Sequence, residues 1–318
     1  GLFKSIRTPA VIKDITFINA TIDGGTYDQA GLIAGTNGET GAAGENIMTV
    51  SGIDVYNLVI KGSNSQYGGL FGRIKGASSN LTISDCYIDV TFNQTVIEAN
   101  EELGIAADDS IERFGGVIIS SDYNSLITVE NCTVKATFNN CHGNRLGGII
   151  SHMTGSTGVL TLNNNNVTAI FNSCTSERVG GLVGSVEQAQ AYISGNTVKT
   201  YFVNTTGESN QGGLLGNITN SGKADIINNE LYAEWSGAIN ATRQGGMIGQ
   251  VANSSGIILN IKNCYVSVQF VDITSQTVDF FGIITGAAEV QANINVSYLY
   301  GETNLVSPYG GSTGAAIG

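Results

Sequence analysis

The sequence has little proline, histidine, tryptophan or charge. Of its 318 residues, 2 are Pro, 2 are His, 1 is Trp and 13% are charged. Helical and Rossmann-type enzymes of this length carry far more charge on their helix surfaces, so neither class is expected. The formal net charge is −12. A nucleic-acid partner requires clusters of Lys and Arg, so we expect no nucleic-acid partner. No apolar run reaches the ~18 residues of a membrane-spanning helix, so we expect no membrane span.

Glycine and asparagine are abundant, and glycine marks an internal repeat. The chain contains 43 Gly and 32 Asn, and 42% of its residues are hydrophobic, which is enough for a large core. From residue 147 the repeat starts are 33, 32 and 33 residues apart, a period typical of repeat architectures. A Gly-Gly-aliphatic phrase begins at Gly68, Gly115, Gly147, Gly180, Gly212 and Gly245, with related copies at Ala30 and Phe281.

A second phrase precedes the glycine pairs and predicts strands. In 83–92 and 129–138, apolar and polar residues alternate, as in a strand with one buried face. One such unit cannot bury its apolar face alone, so the repeats must stack. Both prolines, Pro9 and Pro308, lie near the ends and leave the strand N–H groups between them available. We predict an all-β fold, a single-domain parallel β-solenoid of about eight coils with roughly 32–33 residues per coil. The main alternative is an eight-blade β-propeller, which needs about 40 residues per blade.

The repeats divide the chain into three parts. Residues 1–12 form an N-terminal segment that could contact another subunit, 13–300 form the solenoid, and 301–318 form a Gly-rich tail. Two insertions break the period, a Gly-rich loop at 36–50 and an acidic loop at 96–114. The acidic loop could contact a partner or bind Ca²⁺, but calcium loops have more closely alternating acids, so a solvated loop is favoured.

Equivalent positions in successive repeats form columns. An aromatic column shares its parity with aliphatic residues, so we expect it to face inward rather than to bind sugars. A second column, of Cys and Asn, indicates an inner ladder of stacked side chains. The glycine column indicates a corner that needs positive φ or close backbone approach. These columns comprise Phe92, Phe138, Phe171, Phe202, Trp235 and Phe270; Cys86, Cys132, Asn165, Asn196, Asn229 and Cys264; and Gly69, Gly116, Gly148, Gly181, Gly213, Gly246 and Gly282.

The glycine phrase resembles a known motif. Gly-Gly-Leu-Val-Gly at 180–184 and its copies at 68–72, 212–216 and 245–249 resemble the GLUG motif of bacterial and protist surface, adhesin-like proteins. Copies at 115–119 and 147–151 end instead in Ile119 and Ser151. The resemblance implies a secreted or surface β-repeat protein and no catalytic residue.

The five cysteines suggest one disulfide. Cys141 and Cys174 each lie six residues before a glycine pair. One coil per repeat then places them about 4.8 Å apart, within the range of a disulfide. We expect an outward-facing bridge between them. Cys86 and Cys132 are a weaker candidate pair, for which a bridge and buried thiols are equally compatible with the pattern. Cys264 is expected to be a buried thiol. A disulfide indicates an extracellular location.

The sequons support the same location. Ten Asn-x-Ser/Thr sequons are present, against about six expected from composition. An Asn- and Thr-rich solenoid generates sequons without glycosylation, whereas a eukaryotic secreted chain would carry N-glycans on many of them. The candidates are Asn19, Asn80, Asn93, Asn131, Asn166, Asn204, Asn217, Asn240, Asn253 and Asn295.

We expect no enzyme, metal site or cofactor. Fragments that echo polygalacturonases, such as Asp108-Asp109 and His142-Gly143, belong to different columns. A glycosidase needs two carboxylates across a cleft, and neither His142 nor His152 has an acidic partner at a fixed spacing. A polysaccharide lyase or hydrolase is thus the least favoured function.

The function expected from the sequence is structural. The chain begins Gly1-Leu-Phe-Lys, which we read as a mature or trimmed product. Solenoids expose edge strands at their ends. We therefore predict an extracellular or cell-surface, secreted glycoprotein that associates with itself head to tail into a filament or fibril. The alternative is a monomeric adhesin or glycan-binding module of a larger surface protein.

Overall fold

The protein is an all-β parallel solenoid, as predicted. The computed structural model describes residues 1–6, 9–24, 29–37, 46–62, 66–75, 79–94, 113–121, 124–206, 209–252, 254–288, 292–304 and 312–314. Within these residues there are strands and no helix. Every strand pairing is parallel, and equivalent strands of consecutive repeats lie beside one another in about eight turns.

The strands are numbered in chain order. The first part of the chain contains β1 (Phe3–Ile6), β2 (Ala10–Ile18), β3 (Thr21–Asp23), β4 (Gln29–Ala30), β5 (Ala34–Asn37), β6 (Asn46–Gly62), β7 (Gln66–Gly68), β8 (Phe71–Ile74), β9 (Ser79–Ser84), β10 (Tyr87–Gln94), β11 (Arg113–Gly115) and β12 (Ile118–Ser121). The central part contains β13 (Leu126–Glu130), β14 (Thr133–Asn139), β15 (His142–Gly147), β16 (Ile150–Thr154), β17 (Val159–Asn163), β18 (Asn166–Asn172), β19 (Thr175–Gly180), β20 (Val183–Glu187), β21 (Gln190–Ser194) and β22 (Thr197–Val203). The last part contains β23 (Asn210–Gly212), β24 (Leu215–Thr219), β25 (Lys223–Ile227), β26 (Glu230–Gly245), β27 (Ile248–Val251), β28 (Ile258–Gly282), β29 (Thr285–Ala288), β30 (Asn293–Thr303) and β31 (Ser312–Gly314).

A coil consists of four strands separated by corners. In the coil 159–187, β17 and β18 carry the alternating phrase, β19 leads to the glycine pair, and β20 follows it. The strands that follow the glycine pairs form a separate nine-stranded sheet, here called sheet A, in the order β1-β5-β8-β12-β16-β20-β24-β27-β29. Because the pairing is parallel and in register, each residue lies next to its equivalent in the coils before and after it.

The aromatic column faces inward and stacks, as the alternation predicted. Phe92, Phe138 and Phe171 are in register, with ring centroids 4.9 Å apart at both steps and interplanar angles of 5° and 12°. The stack continues through Phe202 to Trp235, whose ring centroids are 4.8 Å apart. These rings are at most 1% exposed, and each contributes ~1.5–3 kcal/mol of burial.

The first corner of the coil is formed by residues with positive φ. Between the two strands of the alternating phrase, one residue per coil adopts the left-handed conformation, with φ of 54° at both Asn131 and Asn164. Asn and Asp tolerate this conformation better than other side-chain-bearing residues. The column comprises Asp14, Gly52, Asp85, Asn131, Asn164, Gly195, Asn228, Asn263 and Tyr298.

The glycine corner has a different cause, because none of the predicted corner glycines has positive φ. A Cβ on Gly116, Gly148 or Gly181 would lie 2.0 Å from the carbonyl oxygen of the equivalent glycine in the following coil. Glycine is therefore required for close backbone approach. The prediction that Gly282 is a corner glycine is wrong. Gly282 pairs with Gly245, the first glycine of its phrase, so Ile283 occupies the corner position.

Described strands also lie within the segments expected at the two ends of the solenoid. Strands begin at Phe3, within the expected 1–12 segment, and β30 extends into the expected tail. Of the expected Gly-rich loop 36–50, residues 36–37 belong to β5 and 46–50 to β6, and 38–45 lie outside the described residues. Most of the acidic loop, 96–112, lies outside the described residues; residues 113 and 114 already belong to β11.

Candidate functional sites

The asparagine ladder occupies the predicted inner column. Asn165, Asn196 and Asn229 are at most 3% exposed. Asn196 Oδ1 accepts from the backbone N–H and from Nδ2 of Asn165, at 2.9 and 3.0 Å, and Asn229 Oδ1 accepts the same two bonds from Asn196. Their Nδ2 groups also donate to carbonyls of the preceding coil. Each buried amide is thus paired, and the ladder stabilises the corner rather than performing chemistry.

Thiols continue the ladder at both ends. Cys132 precedes Asn165, and its backbone N–H donates to Asn165 Oδ1 at 3.0 Å. Cys264 follows Asn229, and its Sγ lies 3.5 Å from the carbonyl oxygen of Ile226. Contact with Cys86 and burial raise the pKa of the Cys132 thiol, and burial raises the pKa of Cys264.

No disulfide joins any of the five cysteines, all of which lie in described residues. The prediction of an outward-facing Cys141–Cys174 bridge is therefore wrong. Both side chains are at most 2% exposed, and Cys174 Sγ lies 3.3 Å from the carbonyl oxygen of Phe138. The cause is a second left-handed corner: Asn140 and Ser173, both with φ of 52°, precede the cysteines and turn them inward. The weaker Cys86–Cys132 bridge is also absent, so the cysteines no longer support an extracellular location.

The ten sequons do not share one environment. Asn217 lies on sheet A and is 2% exposed, so it cannot carry a glycan in the folded protein. Asn253 lies outside the described residues. Asn80 and Asn93 are half-buried, and Asn93 Oδ1 accepts a hydrogen bond from Asn139 at 2.9 Å. The exposed candidates are Asn19, Asn131, Asn166, Asn204, Asn240 and Asn295.

Both ends of the described solenoid leave apolar core columns uncovered. In the first coil the core-facing Ile12, Ile15 and Phe17 are only partly buried, whereas their equivalents in the next coil are fully buried. The last coil is similar, since Ile294 and Leu299 are partly buried. Among described strands, β2 and β3 pair only with β6, and β30 pairs only with β28. The unpaired edges can accept further strands.

A groove with tyrosines and carboxylates lies on the outer face near the C-terminal end. It has a volume of about 510 Å³ and is formed by outward residues of β22, β26, β28 and β30. The rings of Tyr201 and Tyr232 are 5.9 Å apart, and Tyr232 donates to Glu234 at 2.6 Å. Tyr265 donates to Glu302 at 2.5 Å, which raises the pKa of Tyr265 and lowers that of Glu302. The groove combines aromatic faces with carboxylates, an arrangement suited to polyhydroxylated ligands.

The structure also contains a row of arginines that the sequence analysis missed. Arg113, Arg145 and Arg178 are in register on β11, β15 and β19. After Asn210 the row continues with Arg243. Each occupies the position two residues before the first glycine of its phrase, a repeated spacing that could have revealed the row. We call Arg113, Arg145, Arg178 and Arg243 the arginine row.

His152 and Glu187, on sheet A, lie against the arginine row. His152 Nε2 is 3.2 Å and Arg145 Nη2 is 3.7 Å from Glu187 Oε2. The sequence showed no acidic partner at a fixed spacing for either histidine, whereas the structure places Glu187, from the next coil, beside His152. Burial lowers the pKa of His152 to about 4, and the hydrogen bond with His152 lowers that of Glu187 to about 2. Burial, then repulsion by Arg113 and Arg178, lowers the pKa of Arg145 to about 10.

Neither a metal centre nor a membrane helix is found in the part of the chain that the structure describes. No group of three or more His, Cys, Asp or Glu residues there could hold a metal ion. No helix there has the length and apolar character needed to cross a membrane.

Comparisons of the chain with protein-family models, with curated proteins and with solved structures find no match. The class of the protein rests on its fold alone, which is that of a parallel β-solenoid repeat protein. The resemblance to the GLUG motif stays a prediction.

Proposed function

We propose that the protein is a structural subunit that stacks head to tail with copies of itself into an extracellular filament. The observation that carries the proposal is the pair of ends of the described solenoid, where core columns terminate in partly exposed apolar side chains beside strand edges that pair with no other described strand. Adding a coil of the same kind extends every ladder and buries these side chains, which stabilises the contact.

The two ends are complementary in sequence register. The ladder column begins at Ile15 and ends at Leu299, so stacking a second copy places one aliphatic side chain next to the other. A neighbouring column begins at Phe17 and ends at Gly301. The bulky ring of one copy would meet the residue without a side chain in the other. Such heterologous contacts do not close, and they generate filaments.

The experiment uses two single variants, Ile15→Asp and Leu299→Asp. Each places a charge at one end, where a monomer keeps it hydrated but a stack buries it without a partner, at a cost of several kcal/mol. Electron microscopy and sedimentation should show filaments for the wild-type chain and none for either variant. Mixing the two variants should give dimers only, because each keeps one intact end.

A matched control is Tyr192→Asp, which introduces the same charge at an exposed side chain in the middle of the solenoid. This variant should assemble as the wild type does. A wild-type chain that stays monomeric at high concentration, or variants that still elongate, would refute head-to-tail stacking. Mass spectrometry of protein from its native source tests the secreted-glycoprotein part: hexose-rich mass at exposed Asn19, Asn131 or Asn166 is expected.

A second candidate, a glycan-binding module, is favoured by the tyrosine groove. Its aromatic faces can stack on sugar rings, while Glu230 and Glu302 can accept hydrogen bonds from hydroxyl groups. Tyr232→Ala should weaken oligosaccharide binding at least tenfold in calorimetric titration. The control is Tyr56→Ala, which removes an exposed tyrosine outside the groove. If no neutral or acidic oligosaccharide binds, the groove has no such function.

A further inference from the structure

We propose that the seam between the arginine row and sheet A binds a linear acidic polysaccharide along the solenoid axis, with its carboxylate or sulfate groups against successive guanidinium groups. This site is distinct from the solenoid ends and from the tyrosine groove.

The concentration of arginine in one seam is the first observation. The chain has six Arg residues, and Arg113, Arg145, Arg178 and Arg243 lie in one register column. Parallel pairing spaces them about 4.8 Å apart per coil. The chain as a whole is acidic, with a net charge of −12 that includes these arginines, so general attraction of polyanions is not expected and binding depends on this row.

Repulsion within the row is the second observation. Arg113 and Arg178 both act on Arg145 as like charges. Two carboxylates contact Arg145 and Arg178 in the described part of the chain: Glu187, 3.7 Å from Arg145, and Glu177, 3.0 Å from Arg178. Glu187 is shared with His152 and Asn220. An incoming oxyanion that bridges two guanidinium groups would relieve this repulsion, and guanidinium geometry favours bidentate contact with carboxylate or sulfate.

Buried polar atoms without partners are the third observation. Arg145 Nε, Arg178 Nε and His152 Nδ1 make no hydrogen bond, although His152 is only 4% exposed. The facing column of sheet A adds Ser120 Oγ, Ser185 Oγ and Asn217 Oδ1, which are also buried and unpaired. Buried polar groups of a structural kind are normally satisfied, as they are in the asparagine ladder. The arginine Nε and serine Oγ atoms can donate to an anionic ligand, whereas Asn217 Oδ1 and His152 Nδ1, the latter because Nε2 donates to Glu187, can accept from a ligand hydroxyl group.

The repeating arrangement favours a chain over a single ion. Equivalent donors recur in consecutive coils, and the side chains of Arg145 and Arg178 remain 11% and 24% exposed, so the row is reachable from solvent. A polymer with one anionic group per sugar can contact several coils at once, and its affinity then increases with length.

The test measures binding of polygalacturonate and sulfated oligosaccharides of increasing length to the full chain, with sodium acetate and sodium sulfate as monomeric anions. Affinity should rise at least tenfold from two to six sugars and fall as salt increases. The polymer proposal would be overturned if acetate or sulfate occupied the site as fully as the oligosaccharides at the same concentration of anionic groups. The absence of oligosaccharide binding would overturn it as well.

Variants separate a local site from general charge. Arg145→Gln and Arg178→Gln should each weaken binding of the six-sugar oligosaccharide at least tenfold. Lys223→Gln, which removes the same charge at an exposed position of β25, outside both the seam and the tyrosine groove, should leave it unchanged. Equal loss in all three variants would refute the seam. Circular dichroism and Trp235 fluorescence establish that each variant is folded, so loss of binding is not mistaken for unfolding.

Discussion

The asparagine ladder and the seam between the arginine row and sheet A both consist of polar columns in register, yet they differ in hydrogen bonding. In the ladder, Asn196 accepts two hydrogen bonds from one coil and donates to its neighbours, with no charge involved. In the seam, guanidinium groups repel one another, and His152 and Ser185 keep unpaired atoms. A column that is satisfied internally stabilises the fold, whereas the column with unsatisfied atoms is the one for which we propose a ligand.

The largest effect should follow from breaking the ladder. Asn196→Ala leaves the backbone N–H of Asn165 and the carbonyl oxygen of Leu162 without their partner, and we expect a loss of about 2–4 kcal/mol in the free energy of unfolding. Chemical denaturation measures it. Asn196→Cys is the matched control and should lose less, because thiols occupy the same column at Cys132 and Cys264. Equal losses would mean that side-chain volume, not hydrogen bonding, matters there.

An intermediate effect should come from acidifying the seam. The folded protein keeps His152 neutral, with a pKa of about 4 instead of 6.5, so the unfolded chain takes up the proton first. The stability that depends on neutral His152 is complete above about pH 6.5 and is lost as the pH falls toward 4. We expect a decrease of about 1–3 kcal/mol over this window in urea unfolding.

The groups facing His152 sharpen this test. Arg113 and Arg145 oppose its protonation, while Glu187 favours it. His152→Asn should flatten the decrease between pH 6.5 and 4. The contribution of Glu187 is lost only below about pH 4.5, toward its pKa of about 2. A variant as pH-sensitive as the wild type would contradict the assignment to His152.

The smallest effect should come from Ser185. Its buried Oγ has no hydrogen-bond partner, so Ser185→Ala removes an unsatisfied group and should change the free energy of unfolding by less than about 0.5 kcal/mol or raise it. Thermal unfolding measures this. A loss as large as that of Asn196→Ala would remove the contrast between the seam and the ladder.

Columns of regular period could be predicted from the sequence, and exceptions to the period could not. The alternating phrase sufficed to predict that Phe138 stacks inward and that Asn196 belongs to a ladder. It failed for Cys141 and Cys174, because the left-handed residue before each one reverses the direction of the side chain. The alternation of apolar and polar residues does not predict the left-handed corner before these cysteines.

The seam was missed for a different reason. Contacts such as His152 to Glu187 join different strands of different coils, and their proximity depends on how the strands before and after the glycine pair fold against each other. The spacing of Arg145 and Arg178 before their glycines was visible in the sequence. Its significance depended on the facing sheet.

The single tryptophan, Trp235, provides a local optical probe of one coil. Its ring lies within the aromatic stack, is fully buried, and donates to Gln211 at 2.8 Å. In solenoids each repeat contacts only its neighbours, so coils can unfold in sequence rather than together. Fluorescence follows the coil of Trp235, whereas circular dichroism averages over all strands. A difference between the two unfolding curves would therefore reveal the order in which the rod comes apart.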